Sequence, residues 1–243
     1  MNHRTPSLFL AGSLLAAQFL ASTVEASPLR VLYLGQEDSA ATQHAHVLMR
    51  DLGRDAIWFD YTADPQVATA EWIAKFDAVL LDAPRSAFPA IATAASAKVL
   101  TPDFSGEEAD WVGTTKTSLL AAITAPRRQQ WESFLANREP ERREANSNVA
   151  NYERRPEPLT FQQPFSVKGS IERTQVPIDM RLELFVAEPD IAKPIAFAWD
   201  ERGRLWVCET RDYPHNVQAS GEGNDSIKIC EDTDGDGRAD KFG

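Results

Sequence analysis

Residues 194–243 read PIAFAWDERGRLWVCETRDYPHNVQASGEGNDSIKICEDTDGDGRADKFG, and this stretch decides the fold of the carboxyl-terminal part of the chain. It contains three short apolar runs, at 195–199, 205–208 and 227–230. The first two runs are joined by the compact turn DERG, in which Gly203 is free to take a positive φ. Short apolar runs bounded by Gly, Asp and Asn predict antiparallel strands.

A fourth strand is predicted directly before these three. Residues 181–187 alternate Leu182, Leu184 and Val186 with polar positions, which is the pattern of a half-buried strand. Four short strands in one stretch of this length are typical of one propeller blade. We therefore expect residues 177–243 to form the first blade of an incomplete β-propeller.

The loop after the third run carries the sharpest chemical signal. Asp232, Asp234 and Asp236 stand at alternate positions and are followed by Gly237, matching positions one, three, five and six of a calcium loop. Calcium prefers six to eight hard oxygen ligands, and alternate carboxylates on a sharply turning loop can converge on one point. The sequence predicts a structural calcium site here.

Two further ligands follow from the same alignment. The carbonyl of Arg238 falls at the seventh position and Asp240 at the ninth, whereas the twelfth, which is Glu in a helix–loop–helix site, is Gly243. A calcium loop that joins two strands therefore fits better. The alternative is a solvated acidic turn, since Asp and Gly favour turns without any metal.

The same segment shows a resemblance to a known family. PIAFAWDERGRLWVCETRDYP followed by SIKICEDTDGDGRADKF resembles the start of the sugar-dehydrogenase-like β-propeller in membrane-bound dehydrogenase-like proteins, which are large exported bacterial proteins. The similarity covers about residues 151–243, including NYERRPEPL and LELFVAEPDIAKPIAFAWDERGRLW. It implies a propeller followed by helical repeats and a haem-binding CxxCH module. Quinone and haem are thus implied by resemblance alone, in parts not present here, and the sequence contains no CxxCH.

Charge and composition limit the classes of partner. The chain has 243 residues, 43% of them hydrophobic, and a net charge of -11. This composition suits one or two globular domains. The negative balance argues against nucleic acid as a partner, because phosphate contacts need clustered Lys and Arg.

Residues 1–26 have the features of a secretory signal peptide. Arg4 gives a positively charged amino-terminal region, and Leu8 to Leu20 form the apolar segment that follows it. Val24-Glu25-Ala26 is a small-x-small cleavage site. The alternative is an uncleaved anchor, but an apolar run of about 13 residues is too short to span a membrane comfortably. We expect export to the periplasm or cell envelope, with no transmembrane span after signal removal.

Export makes the two cysteines candidates for a disulfide. Cys208 and Cys230 lie in the second and third predicted strands, and an oxidising compartment permits a bridge between neighbouring strands. The alternative is two small buried apolar residues.

Residues 29–125 predict a shortened flavodoxin-like α/β domain. Near-continuous apolar strands separated by helices indicate a parallel sheet covered on both faces. The predicted strands are 30–35, 56–59, 78–82 and 97–100, and the predicted helices are 39–52, capped by Ser39, and 71–76. RVLYLG, LGRDAIWFDY and FDAVLLDAP resemble, more weakly, the trehalose-utilisation (ThuA-like) domain, which is related to class I glutamine amidotransferases.

The departures from that domain argue for an inactive version. PRSAFPAIATAASAKVL follows the third strand, where a glycine-rich turn with a nucleophile is expected. The predicted strand ends could still bind a ligand, and they carry Gly35, Gln36, Asp38, Asp60 and Asp82. His44 and His46 are two apart on a helix and so point to different faces, which favours surface or half-buried histidines over a metal site. His215 is expected in a plain surface loop.

The segment 126–176 is predicted to separate the two domains. Helical spacing runs over 119–137 and is divided by Pro126. Residues 138–158 are dense in mixed charge with three prolines, and more loop is expected over 161–176. We therefore expect a helical segment and then a charged linker.

Two functions remain open after this reading. In the first, the chain is the N-terminal portion of an exported propeller oxidoreductase-like protein, and its partner is the missing remainder of its own chain. Blade-like units need about three copies to bury their faces, and the AWDERGRLW pattern occurs once. The alternative is a non-catalytic, calcium-stabilised binding or scaffold module. No residue qualifies as catalytic, and the small-molecule substrate is unknown.

Overall fold

A computed structural model describes most of the chain. The described residues are 25–94, 98–145, 153–156, 159–213, 218–219 and 221–243. The predicted signal peptide, apart from its last two residues, lies outside them, as does His215.

The amino-terminal domain contains a four-stranded parallel sheet. Its strands are β1 (Leu29–Leu34), β2 (Ile57–Thr62), β3 (Ala78–Leu81) and β4 (Val99–Leu100). Their order in the sheet is β2-β1-β3-β4, with all pairs parallel, which is the flavodoxin-like order. The predicted α/β domain is therefore confirmed.

Helices cover both faces of this sheet, which is what the continuous apolar strands require. They are α1 (Ser39–Leu52), α2 (Ala70–Ile73), α3 (Glu108–Ala122) and α4 (Ala125–Asn137). Side chains of β1 alternate between two buried clusters: Val31 and Tyr33 pack with α1, α3 and α4, whereas Leu32 and Leu34 pack with α2.

Local details differ from the sequence prediction. Asp38, not Ser39, caps α1, because its Oδ1 accepts a hydrogen bond of 2.7 Å from the N–H of Ala41. Strand β2 extends to Thr62, so Asp60 lies within the strand and not at its end. The predicted division near Pro126 is present, since α3 ends at Ala122 and α4 begins at Ala125 with Pro126 in its first turn.

The predicted linker and loop contain short regular elements. Strands β5 (Arg143–Ala145) and β6 (Thr160–Gln162) form an antiparallel pair, and α5 spans Val167–Ile171. Two short strands and one short helix thus lie within the segment predicted as linker and loop. Backbone pairing orders the two strands, and an N-terminal cap orders the helix. In this cap the Ser166 side chain accepts a hydrogen bond from the N–H of Gly169 at 3.1 Å.

The chain then runs beside the edge strand β2 before the second sheet begins. The Gln175 side chain bonds both backbone groups of Phe59. The Asp60 carboxylate accepts from the N–H of Ile178 at 2.8 Å and from Arg30 at 3.2 Å. Arg30 also donates to the carbonyl of Val176 at 2.9 Å. These contacts attach residues 175–178 to the parallel sheet.

A second, antiparallel sheet follows. Its strands are β7 (Pro194–Trp199), β8 (Leu205–Glu209), β9 (Ser226–Glu231) and β10 (Lys241–Phe242), in the order β10-β9-β8-β7. The three strands predicted from the apolar runs are confirmed. The strand predicted at 181–187 is wrong: this segment is irregular, and Phe185 and Val186 cover a small cluster around Leu205 and Val207.

Much of the apolar surface of this sheet is exposed. Ile195, Phe197, Trp199 and Ile227 are each more than half exposed, at 69%, 70%, 53% and 63%. Phe197 pairs with Val207 on one face, whereas Ile227 pairs with Cys208 on the other. One sheet of four strands thus leaves apolar side chains exposed on both of its faces.

A buried carboxylate anchors the start of this sheet. Glu209, at the end of β8, is only 2% exposed. It accepts from the N–H of Ala192 at 2.7 Å, the hydroxyl of Ser226 at 3.0 Å and the guanidinium of Arg211 at 3.1 Å. Burial raises the pKa of Glu209, but these hydrogen bonds outweigh burial and lower the pKa to about 2.

Acid should therefore weaken this sheet through Glu209. Because its pKa is about 2 when folded and 4.5 ordinarily, its contribution is present above about pH 4.5 and is lost as the pH falls toward 2. We expect Glu209→Gln to lower the free energy of unfolding at neutral pH by about 1–3 kcal/mol. Urea unfolding from neutral pH down to about pH 2 measures this. The exposed Glu201→Gln is the control, and equal acid sensitivity of wild type and Glu209→Gln would contradict the role.

The backbone of Gly35 lies so close to the Tyr61 ring that a side chain at this position should lower the stability of the fold. A Cβ at Gly35 would lie 2.7 Å from Cε2 of Tyr61. Tyr61 cannot easily move, because it stacks on Tyr33 at 5.7 Å and donates to the carbonyl of Gln36 at 2.7 Å. We expect Gly35→Ala to destabilise by about 1–3 kcal/mol. Gly53→Ala, where no atom lies within 4 Å, should be neutral or slightly stabilising in the same thermal melts.

Candidate metal centre and the carboxyl edge of the parallel sheet

The predicted calcium loop connects β9 to β10. The two strands pair in antiparallel register, with Lys241 opposite Glu231 and Phe242 opposite Cys230. The N–H of Asp240 bonds the carbonyl of Glu231 at 3.0 Å, which closes the base of the loop. The loop thus starts and ends on a fixed hairpin.

Three predicted ligands lie together in this loop. Each of Asp232, Asp234 and Asp236 offers a carboxylate oxygen, and these oxygens lie within 4.8 Å of one another. Asp232 is partly buried and the other two are exposed. Carboxylate oxygens are the ligands that hard cations prefer, so this group could hold a metal ion such as calcium.

Backbone N–H groups orient these carboxylates. The two oxygens of Asp232 accept from Gly235 at 2.7 Å and from Gly237 at 2.9 Å. The hydrogen bond from Gly237, followed by that from Gly235, lowers the pKa of Asp232. Both glycines have positive φ, 81° and 89°, a conformation that glycine adopts without steric cost. These hydrogen bonds therefore favour the ionised form of Asp232.

The other two predicted ligands, Asp240 and Arg238, lie outside this group of three carboxylates. Asp240 accepts a hydrogen bond from the N–H of Thr233 at its Oδ1, at 3.0 Å, and its two oxygens share the hydroxyl of Thr233 at 2.9 Å and 2.8 Å. It braces the loop across its base instead. The carbonyl of Arg238 remains a predicted ligand. The backbone N–H of Arg238 donates to Asp236 at 2.8 Å.

The two cysteines, which the sequence offered as candidates for a disulfide, are not bridged in the structure. Cys208 and Cys230 are both free in the structure. In the sheet Cys208 pairs with Ile227 and Cys230 pairs with Leu205, so the two cysteines point to opposite faces. Burial raises the pKa of the Cys230 thiol, as expected for a cysteine in an apolar cluster.

A polar cluster lies at the carboxyl edge of the parallel sheet, where α/β domains bind ligands. Asp82 follows β3, and its Oδ2 accepts from the hydroxyl of Tyr33 at 2.5 Å and lies 2.9 Å from Nδ1 of His44. Burial, with the Asp82 carboxylate adding to it, raises the pKa of Tyr33. Among the described residues none hydrogen-bonds Nε2 of His44.

Sequence reasoning named Asp82 and His44 separately but did not join them. The imidazole of His44 stacks on Phe104 at 3.9 Å, a contact between α1 and the chain after β4. His46 is exposed, as its spacing from His44 predicted. Tyr33 and Asp82 sit at the ends of neighbouring strands, and that adjacency was the available signal. The approach of His44 depends on tertiary packing that the local pattern does not contain.

Comparisons with known proteins add one finding. The family model described as a domain of unknown function (DUF7133) matches residues 166–243, which include α5 and the whole antiparallel sheet. No curated protein and no solved structure matches the sequence. In the part of the chain that the structure describes, no helix has the length and apolar character needed to cross a membrane. The chain is therefore similar to DUF7133 over its α5 and antiparallel-sheet segment.

Proposed function

We propose that residues 177–243 form a calcium-stabilised β unit of the propeller type, which serves an exported, oxidoreductase-like protein as a structural element. The observation that carries the proposal is the group of three carboxylates within 4.8 Å in the loop that joins β9 and β10. A cation there would relieve the repulsion among the three carboxylates and fix the hairpin at the edge of the sheet.

The propeller assignment rests on the sheet itself. Four antiparallel strands follow each other, and apolar side chains are exposed on both faces. Blades of a propeller bury such faces against neighbouring blades. The dehydrogenase-like activity, with quinone and haem, is inferred from the resemblance of this sequence to the exported dehydrogenase-like proteins. Export is inferred from the charge and apolar pattern of residues 1–26.

The second candidate is a non-catalytic binding or scaffold module. The exposed side chains of Ile195, Phe197 and Trp199 favour it, because a continuous row of apolar groups on an edge strand can contact another protein surface. In both candidates the calcium loop has the same structural role. The two differ in whether a reaction centre belongs to the protein.

Calcium should raise the thermal stability of this chain. At a calcium concentration 100 times the Kd, binding adds about 2.7 kcal/mol to the free energy of unfolding. We expect Asp234→Ala to lower calcium affinity and the Tm together. Melting curves in calcium and in chelator measure the effect. Glu222→Gln, an exposed carboxylate outside the loop, is the matched control. Wild-type curves that coincide in calcium and chelator would rule out the site.

The structural role also predicts the outcome of an activity assay. The β unit offers a calcium loop and apolar faces, and we assign no reaction centre to its described residues. We expect the chain, supplied with a soluble quinone and a panel of aldose sugars, to show no quinone reduction above background. Turnover that depends on the protein would contradict the structural role and would favour a reaction centre within this chain.

A further inference from the structure

A small cavity lies where the end of α1 meets the segments that lead to the second sheet. Its volume is 320 Å³. Arginines supply four of its lining residues, and these are Arg50, Arg54, Arg138 and Arg173. The lining includes a single carboxylate, Glu141, and one indole, Trp58. Such a density of positive charge is unusual in a chain whose net charge is -11.

One of these arginines is already neutralised. Arg50 forms ion pairs with Asp51 at 2.7 Å and with Glu108 at 2.5 Å. The other three differ from it: across the described ranges, neither Arg54, Arg138 nor Arg173 forms an ion pair with a carboxylate. Three cationic side chains thus line one cavity without a paired anion.

Neutral groups hold two of these guanidinium groups in place. Arg138 donates to the carbonyl of Arg54 at 2.9 Å. Arg173 donates to the carbonyl of Gly169 at 3.1 Å and lies 3.8 Å above the ring of Phe165. Carbonyl dipoles and a ring face orient a guanidinium but leave its charge in place.

Buried donors at the cavity have no acceptor. The Nε atoms of Arg138 and Arg173 are buried, and no described group accepts a hydrogen bond from either. A buried donor without a partner is unfavourable, so a turn of either guanidinium that brought its Nε to an acceptor in the cavity would be favoured. Desolvation, together with repulsion from Arg173, also lowers the pKa of Arg138, against the opposing effect of Glu172 and Glu141.

We propose that this cavity binds an oxyanion of the phosphate class, held by Arg54, Arg138 and Arg173. Planar guanidinium groups match the paired oxygens of a phosphate, and an anion would neutralise the unpaired charge. Such an anion would connect the turn after α1, the end of α4 and the chain after α5. It would therefore fasten the amino-terminal domain to the segment that DUF7133 matches, independently of calcium.

The chemistry fits two sources, free inorganic phosphate and the phosphate group of a small organic molecule. Calorimetric titration of the whole chain with inorganic phosphate, and separately with glycerol phosphate, distinguishes them. Both titrations are run against sodium chloride of equal ionic strength, which removes general screening. Tighter binding of glycerol phosphate assigns the site to an organic phosphate, and equal or weaker binding assigns it to the free ion.

Two charge variants should change the phosphate affinity in opposite directions. Arg54→Gln, an exposed residue, should weaken phosphate binding at least about tenfold by removing one charge-assisted contact. Glu141→Gln removes the one lining carboxylate and should strengthen binding several-fold, a gain that misfolding cannot imitate. Arg85→Gln carries the same charge change away from the cavity and should leave the affinity unchanged. The proposal is overturned by absence of phosphate binding in the wild type, or by equal affinities in Arg54→Gln and Arg85→Gln.

Discussion

The structure depends on a parallel sheet whose central strands are covered on both faces. Val31 and Tyr33 of β1 enter one buried cluster and Leu32 and Leu34 the other, so a single strand organises two cores. Helices on each face supply the remaining apolar surface. The antiparallel sheet lacks this arrangement, since its buried cluster consists of Leu205, Val207 and Cys230. Most of the hydrophobic stabilisation therefore belongs to the amino-terminal domain.

The second sheet compensates with polar anchoring. Glu209 gathers a backbone N–H, a hydroxyl and a guanidinium in a buried position. In the turn between β7 and β8, Asp200 accepts from the indole of Trp206 at 3.0 Å and from the backbone and side chain of Arg204. The first of these bonds, with the others, lowers the pKa of Asp200. Directed hydrogen bonds thus fix the ends of strands that have few apolar contacts.

What the sequence could predict was local. Apolar runs between turn residues predicted β7, β8 and β9 correctly. The spacing of Asp at alternate positions predicted that Asp232, Asp234 and Asp236 lie together. Both patterns are set by neighbours in the chain. The same reasoning failed at 181–187, where alternating leucines cover a core without joining the sheet. It left open whether Cys208 and Cys230 are bridged, because the faces on which they lie depend on strand register. The arginine cavity was missed because its residues come from distant segments that only the fold unites.

The residues that follow α5 cover part of the open edge of the parallel sheet, in addition to attaching to it. Strand β2 is the last strand on its side of the parallel sheet, and an unpaired strand edge invites pairing with other chains. Gln175 occupies both backbone groups of Phe59 with its side-chain amide, in the manner of a neighbouring strand. The connecting segment thereby leaves less of this edge open to pairing with another chain. A chain that folds its first domain before this segment docks would pass through a brief stage in which that edge is open.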